Sequence, residues 1–287
     1  MLLARRLLTG ARLVERDDSR VAPVIYREEG LHPGLSEWVT CAWTYERAYS
    51  DEDVETVMPD GTVELVVQLA APYTDAGVEL PTCVAIGTLD RPLVLTAEGA
   101  MQVWCVRFPW WGLAPFGDVS AFAGRQWAAA DDVFDAGLVA GVRDAASSAH
   151  PVDGLNRVLL SHLLAWTIGP APLREAGRAI TDHAAKLTVA ELAAACTSSQ
   201  RKLQRDFRQV LDATPAQMIA RVRFERARRL LMNKDLPLAR VAAEAGYADQ
   251  PHMNRAFTLF ALMTPRDYRR QFQHTTDPDG KVALIQD

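Results

Sequence analysis

Cysteine is scarce in this 287-residue chain: Cys41, Cys83, Cys105 and Cys196 stand far apart. No pair has the spacing of a zinc site or a redox dithiol, and four thiols in such a length make no disulfide framework. Reduced thiols and a cytoplasmic location are expected. Long apolar runs are missing too. Nothing approaches the ~18 consecutive apolar residues of a membrane helix. Arg5 and Arg6 interrupt the apolar start MLLARRLLTGAR, and no cleavage site follows a long enough apolar run. The six histidines, at 32, 150, 162, 183, 252 and 274, are dispersed without metal-pair spacing. No glycine-rich phosphate loop and no Ser, His and Asp nucleophile context occur. No membrane partner, cofactor, metal or catalytic residue is therefore assigned, and an enzyme is not expected. Disorder is excluded as the main state, since 49% of residues are hydrophobic and 23% charged.

Lysine is absent from the first 172 residues, where 12 Arg stand against 23 Asp and Glu, a net charge of −11. Residues 173–287 hold 19 Lys and Arg against 13 Asp and Glu, net +6, and 198–272 hold 15 against 7, net +8. The whole-chain value of −5 argues against nucleic acid. Divided this way, it describes an acidic part joined to a basic one. A run of Arg on a helix can also be simply a solvated face, so charge alone decides nothing.

The acidic part reads first as strands. In 62–69, Val63, Leu65, Val67 and Leu69 alternate with Thr62, Glu64, Val66 and Gln68, which predicts one buried and one largely polar face. Pro59-Asp60-Gly61 is a turn tripeptide, so 54–58 and 62–69 are expected to pair as a hairpin. Val39, Cys41, Trp43 and Tyr45 alternate likewise, and 82–86, 92–96 and 101–108 add short strands. Many short strands at this spacing predict a barrel or sandwich. Cys41 and Cys105 fall in strand patterns, where a buried structural thiol is favoured over a reactive one. From about 131 the period becomes helical. Leu155, Leu159, Leu163 and Trp166 mark one face of a 153–168 helix, either a dimer or interdomain seam or a face packed on its own barrel. Gly169-Pro170-Ala171-Pro172 breaks the pattern and is taken as the domain boundary.

Two helix-turn-helix units follow. Thr188 and Glu191 form a capping box for a short helix. Ser199 then caps a second, QRKLQRDFRQVL, with Leu203, Phe207 and Val210 inward and Gln200, Arg201, Gln204, Arg205 and Arg208 outward. Thr214-Pro215 starts a linking helix to about Met232, its inner positions Met218, Val222, Leu230 and Leu231. Leu238, Val241 and Ala242 pattern the next short helix, which Gly246 ends at a left-handed position. Asp249 caps the last, with Pro251 in its first turn and Met253, Phe257 and Phe260 inward. Gln250, His252, Asn254 and Arg255 face outward. Arg can bond guanine bidentately, and Gln or Asn adenine.

These motifs carry a resemblance. LTVAELAAAC, LQRDFRQVLDATP, RVRFERARRLL, LARVAAEAGYADQPHMNRAF and TPRDYRRQF, within 187–272, resemble the DNA-binding domain of the AraC family of bacterial transcription regulators. The resemblance implies two recognition helices, with base-reading positions at Arg201, Gln204 and Arg205 and at Gln250, Pro251, Asn254 and Arg255. Departures occur at Pro251, which has no side-chain donor, at Thr258 and Leu259 in place of basic residues, and at Asp212 and Leu262 in place of turn glycines. They imply a weaker grip by the second unit. MPDGTVELVVQL, with CAWTYE and WCVRFPWWGLAPF, resembles sensor domains upstream of some such regulators, which implies a cupin-like β-barrel over about 25–125.

The fold expected is α+β and multidomain: a cupin-like β-barrel sensor over 1–130, a helical connector and dimerisation segment over 131–172, an all-α DNA-binding domain with two helix-turn-helix units over 173–274, and a tail over 275–287. The expected DNA-binding residues are Arg201, Gln204, Arg205, Arg208, Gln250, His252, Asn254 and Arg255. Trp43, Glu64 and Trp104 are expected to line an effector pocket. The expected partners are double-stranded promoter DNA, RNA polymerase, a small-molecule effector and a second copy of the chain. A competing reading keeps the DNA binding but makes the N-terminal domain an oligomerisation or partner-protein module without a ligand. A filled domain without a cavity would favour it.

Overall fold

The computed structural model describes residues 25–49, 54–122, 124–166, 171–211, 213–272 and 284–285. The expectations for the MLLARRLLTGAR start, for Asp212 and for the inward face of Val210 lie outside the described residues, as do Gly169, Pro170 and most of the 275–287 tail. In chain order the strands are β1 Ile25–Glu29, β2 Cys41–Tyr49, β3 Val54–Val57, β4 Thr62–Gln68, β5 Thr74–Asp75, β6 Val78–Glu79, β7 Cys83–Ile86, β8 Leu93–Thr96, β9 Gly99–Pro109, β10 Trp127–Ala129 and β11 Leu284–Ile285. The helices are α1 Ala130–Val133, α2 Ala136–Ala146, α3 Pro151–Ala165, α4 Ala171–His183, α5 Val189–Ala195, α6 Gln200–Leu211, α7 Pro215–Leu231, α8 Leu238–Ala245, α9 Gln250–Ala261 and α10 Pro265–Phe272.

The strands form two antiparallel sheets, in the orders β1-β2-β9-β4-β7-β10 and β11-β3-β8-β5-β6. They do not close into the expected barrel. One face of the six-stranded sheet packs Tyr45, Val66, Val84, Val103 and Cys105 against Leu93 and Leu95 of β8. The other packs Ala42, Val63, Leu65, Val67, Trp104, Val106 and Phe108 against Val133, Phe134, Leu138, Val142, Leu155 and Leu159 around α1, α2 and α3. The result is three layers: small sheet, large sheet, helices. A sheet covered on both faces buries its apolar side chains without closing on itself.

Two expectations change with this layering, and one of two alternatives left open for α3 is met. The set Glu64, Val66 and Gln68 on β4 is buried instead of forming a solvated polar face. β3 and β4 do not form a hairpin, because β3 pairs with β8 and β4 pairs with β7 and β9. Pro59-Asp60-Gly61 instead carries the chain from one sheet to the other. Gly61 takes φ +78°, and Asp60 Oδ1 accepts hydrogen bonds from the Thr62 amide (2.9 Å) and hydroxyl (2.6 Å). The apolar face of α3 packs on its own sheet, with Leu155 and Leu159 fully buried and Trp166 edge-on to Trp38 at 5.1 Å.

The C-terminal helices follow their local signals. Thr188 with Glu191 and Thr214 with Gln217 both form complete capping boxes. Ser199 Oγ accepts from the Lys202 amide at 3.2 Å, and Asp249 Oδ1 from the His252 amide at 2.6 Å. Gly246 ends α8 at φ +91°, and a Cβ there would stand 2.3 Å from the Ala185 backbone. Both the backbone angle and the close approach require glycine. Leu262 takes φ 57° after α9, a left-handed position that its side chain disfavours. Gly246→Ala is expected to lower stability by more than the ~1–2 kcal/mol of the left-handed penalty alone. Urea unfolding checks this, as a lower midpoint at unchanged slope.

Candidate nucleic-acid interface and interdomain cavity

α5–α6 and α8–α9 each form a short helix, a turn and a second helix with a polar outer face. On α6, Leu203 and Phe207 are fully buried, while Arg201, Gln204, Arg205 and Arg208 are exposed. Lys202 pairs with Asp206 at 2.5 Å, and Arg205 Nε stands 3.8 Å from the same carboxylate. On α9, Met253 and Phe257 are fully buried and Arg255 is exposed. Gln250, His252 and Asn254 are half-buried. The His252 ring lies edge-on to Tyr247 at 5.1 Å, so it also packs the turn. Pro251 is exposed and has no side-chain donor, and the Thr258 hydroxyl donates to the Asn254 carbonyl. The outer face of α9 is thus poorer in free charge than that of α6.

α7 joins the two units and serves both. Met218 and Ile219 enter the core of the first, with Leu203 and Phe207. Phe224, Ala227 and Leu231 enter the core of the second, with Met253 and Phe257. Its arginines are largely internal braces. Arg223 donates to the Ala184 and Leu187 carbonyls at 2.7 and 3.1 Å, and Arg226 to the Glu244 carbonyl at 2.8 Å. On α10, Arg269 donates to the Leu231 and Leu236 carbonyls. These cations satisfy orphan carbonyls at helix ends and in loops. The local charge of +8 therefore overstates the surface offered to phosphate.

The third face of α7 meets the N-terminal half. Arg221, Glu225 and Arg228, at i, i+4 and i+7, share one stripe. Arg221 Nη1 donates to the Thr88 hydroxyl at 2.9 Å. Glu225 and Arg228 line a cavity of about 140 Å³ between the two sheets. Arg228 Nε bonds Glu225 Oε2 at 2.8 Å, with the Arg228 side chain 8% exposed. Arg228 is therefore withdrawn from any phosphate contact. Further contacts join the halves. Trp110 packs on Phe207 at 5.4 Å, Gly177 of α4 lies flat against the Trp111 ring, and Glu37 pairs with Arg174 and Arg178.

The cavity carries charged groups at its α7 end and again at Glu55, with a mainly aliphatic lining between. Trp43 and Glu64 line it, and Trp104 does not. On β9, Val103, Cys105 and Arg107 face the small sheet, so the alternation of the strand turns Trp104 to the helices, where it is 2% exposed. Arg107 supplies the partner that the sequence pattern missed. Its Nη2 and Nε stand 2.6 and 2.7 Å from Glu64 Oε1, which also accepts from Trp43 Nε1 at 3.3 Å. Strand pairing brings Glu64 opposite Arg107, which no local spacing reveals. Burial pushes the Glu64 and Glu225 carboxyls up, against the pull of Arg107 and Arg228, and the charge of Asp60 adds to the push on both. At the far end, Glu55 of β3 accepts from the Tyr45 hydroxyl (3.0 Å) and the Tyr49 hydroxyl, and Arg47 stands 3.8 Å away. Burial of Cys105 pushes its thiol well up, which removes it from reactive chemistry.

Sequence comparison agrees with this geometry. A "Helix-turn-helix domain" family model matches residues 192–271, and a "Domain of unknown function (DUF6597)" model matches residues 32–126. The class defined by α4–α10 is a double helix-turn-helix, DNA-binding domain. The HTH-type transcriptional regulator ArgR of Pseudomonas aeruginosa is 34% identical over 85 residues, 30% of this chain and 26% of that protein. The HTH-type transcriptional activator RhaS of Klebsiella pneumoniae is 31% identical over 132 residues, 46% of this chain and 40% of that protein. A solved transcriptional regulator from Chromobacterium violaceum, of the AraC-type DNA-binding-domain proteins, is 27% identical with a TM-score of 0.33, covering 35% of this chain and 90% of that one. The C-terminal domain is of the AraC type. It spans 26% and 40% of the lengths of the two curated relatives. Among the described residues no helix is long and apolar enough to cross a membrane.

The buried Glu64–Arg107 pair allows a direct test. Arg107→Met alone is expected to destabilise by about 3–5 kcal/mol, because it strands a buried carboxylate. Glu64→Leu with Arg107→Met is expected to recover most of that loss. Denaturant unfolding of the two variants measures both, and equal losses would contradict the pairing.

Proposed function

We propose that the protein is a sequence-specific DNA-binding transcription regulator controlled by a small molecule held in its N-terminal cavity. The observation that carries the reading is the pair of capped helices, α6 and α9, fixed to the two ends of α7 with polar outer faces free. Arg201, Gln204, Arg205 and Arg208 on α6, and Gln250, His252, Asn254 and Arg255 on α9, are the proposed DNA contacts. α7, at ~1.5 Å per residue, spans roughly 25 Å, and its flanking helices extend this toward the ~34–36 Å between successive major grooves on one face of DNA. On this reading residues 1–130 sense, 131–172 connect, 173–274 bind promoter DNA and 275–287 form a tail. The cavity supports the sensing reading over a ligand-free oligomerisation module, which a filled domain would have favoured. RNA polymerase and a second copy of the chain are the proposed protein partners, and the cytoplasm is the proposed compartment.

Selection of binding sites from a random duplex pool by the full-length protein tests the reading. An enriched motif is expected; a pool without one would overturn it. On the selected site, Arg205→Ala is expected to weaken binding by about 1–3 kcal/mol and relax one position, as loss of a base contact does. Arg255→Ala is expected to weaken it less, as the sparser face of α9 implies. Arg208→Ala should weaken all sequences alike and flatten the log–log salt slope.

A further inference from the structure

The cavity's charge and its shared wall carry an inference beyond DNA binding, one that rests on the sensing reading above. Three carboxylates, Asp60, Glu64 and Glu225, meet two guanidiniums, Arg107 and Arg228, at the α7 end. Both guanidiniums are already engaged, Arg107 with Glu64 at 2.6 Å and Arg228 with Glu225 at 2.8 Å. Asp60 is the cavity carboxylate that makes no ion pair with an arginine among the described residues; its Oδ1 is held by Thr62 alone. Arg229 also reaches Glu225, at 3.4 Å, but from the exposed side of α7, where solvent screens it. At the far end Glu55 has Arg47 and two tyrosine hydroxyls. At the α7 end the carboxylates therefore outnumber the guanidiniums by three to two, and Asp60 stands beside arginines that are already paired with other carboxylates.

The remaining surface suits a small body with an aromatic or apolar frame. Tyr26 and Trp43 pack together at 5.7 Å on the polar end, and the buried Tyr26 hydroxyl has no hydrogen-bond partner among the described residues. Beyond them the lining is mainly aliphatic, with Tyr45, Tyr73 and Glu55 at the far end. A cavity of about 140 Å³ is close to the ~150 Å³ that admits benzene. An anion entering here would have to displace a carboxylate from a desolvated guanidinium. A cation meets Asp60, aromatic faces and two carboxyls whose charge burial already disfavours.

We infer that this cavity binds a small organic cation with an aromatic or apolar body, and that α7 senses its occupancy directly through Glu225 and Arg228. A cation beside Asp60 and Glu225 competes with Arg228 for Glu225. α7 carries core residues of both helix-turn-helix units, so any change in its seating reaches α6 and α9 together.

Three isosteric probes separate the chemistry: protonated benzylamine, benzoate and benzyl alcohol, titrated calorimetrically into the full-length protein. Benzylamine is expected to bind at least tenfold more tightly than benzoate or benzyl alcohol. Asp60→Asn, on an external corner, is expected to bring the three within about threefold, the residue of preference left by the paired carboxylates. Benzylamine is also expected to change affinity for the selected DNA site at least threefold, and Glu225→Gln to abolish that change even at benzylamine concentrations that saturate the variant. Tighter binding of benzoate or benzyl alcohol would overturn the cation class while leaving the sensing reading in place. Binding of none of the three would overturn the site, with DNA selection still standing. An unchanged preference in Asp60→Asn, or benzylamine binding without any change in DNA affinity, would equally overturn the inference.

Discussion

One helix has three faces to satisfy at once, and the rest of the molecule is arranged around that constraint. α7 gives Met218 and Ile219 to one core, Phe224, Ala227 and Leu231 to another, and Arg221, Glu225 and Arg228 to the sheets. Seventeen residues at 3.6 per turn can present three stripes, and here none is left free for solvent along its whole length. A rigid bar between two recognition helices is thereby also the lid of a cavity formed by strands far away in sequence. Any force on that lid acts on both units, because interiors packed at crystal-like density transmit displacement and do not absorb it.

The burial of charge at this junction is unusual in its balance. The pairs Glu64–Arg107 and Glu225–Arg228 are close and mostly dry, so each is strongly coupled internally and contributes little net stability against its desolvation. What such pairs confer is a definite arrangement of strands and helix: Glu64 must meet Arg107 across β4 and β9, and Arg228 must stay with α7. The apolar energy comes from elsewhere, chiefly the double-faced sheet with Leu65, Val67, Val106 and Phe108 on one side and Val66, Val84 and Cys105 on the other.

The aromatic residues show why only part of the expected pocket, Trp43 and Glu64 without Trp104, meets the cavity. Trp43 reaches the cavity. Trp104 points to the helices, Trp38 packs on Trp166, and Trp110 and Trp111 press on Phe207 and α4. These tryptophans therefore cement layers and the junction between halves. Tyr26, Tyr45 and Arg107, which complete the cavity, carry no motif. Tyr45 stands two residues from Trp43 and could be placed by alternation. Arg107 could not, because its position depends on which strand pairs with which.

Local signals were legible in the sequence for a local reason. Thr188, Ser199, Thr214, Asp249 and Gly246 act on backbone groups within four residues, so their effect does not depend on the rest of the fold. The two helix-turn-helix units and the polar faces of α6 and α9 follow from such caps and from the 3.6-residue period. The sequence by itself therefore determined the DNA-binding architecture and where its outward residues stand. Tertiary structure alone decided that the strands form an open three-layer stack, that Glu64 is buried, and that Arg228 faces a cavity and not phosphate. Those outcomes depend on what covers each face, and period-two alternation cannot distinguish a face open to water from one covered by another layer.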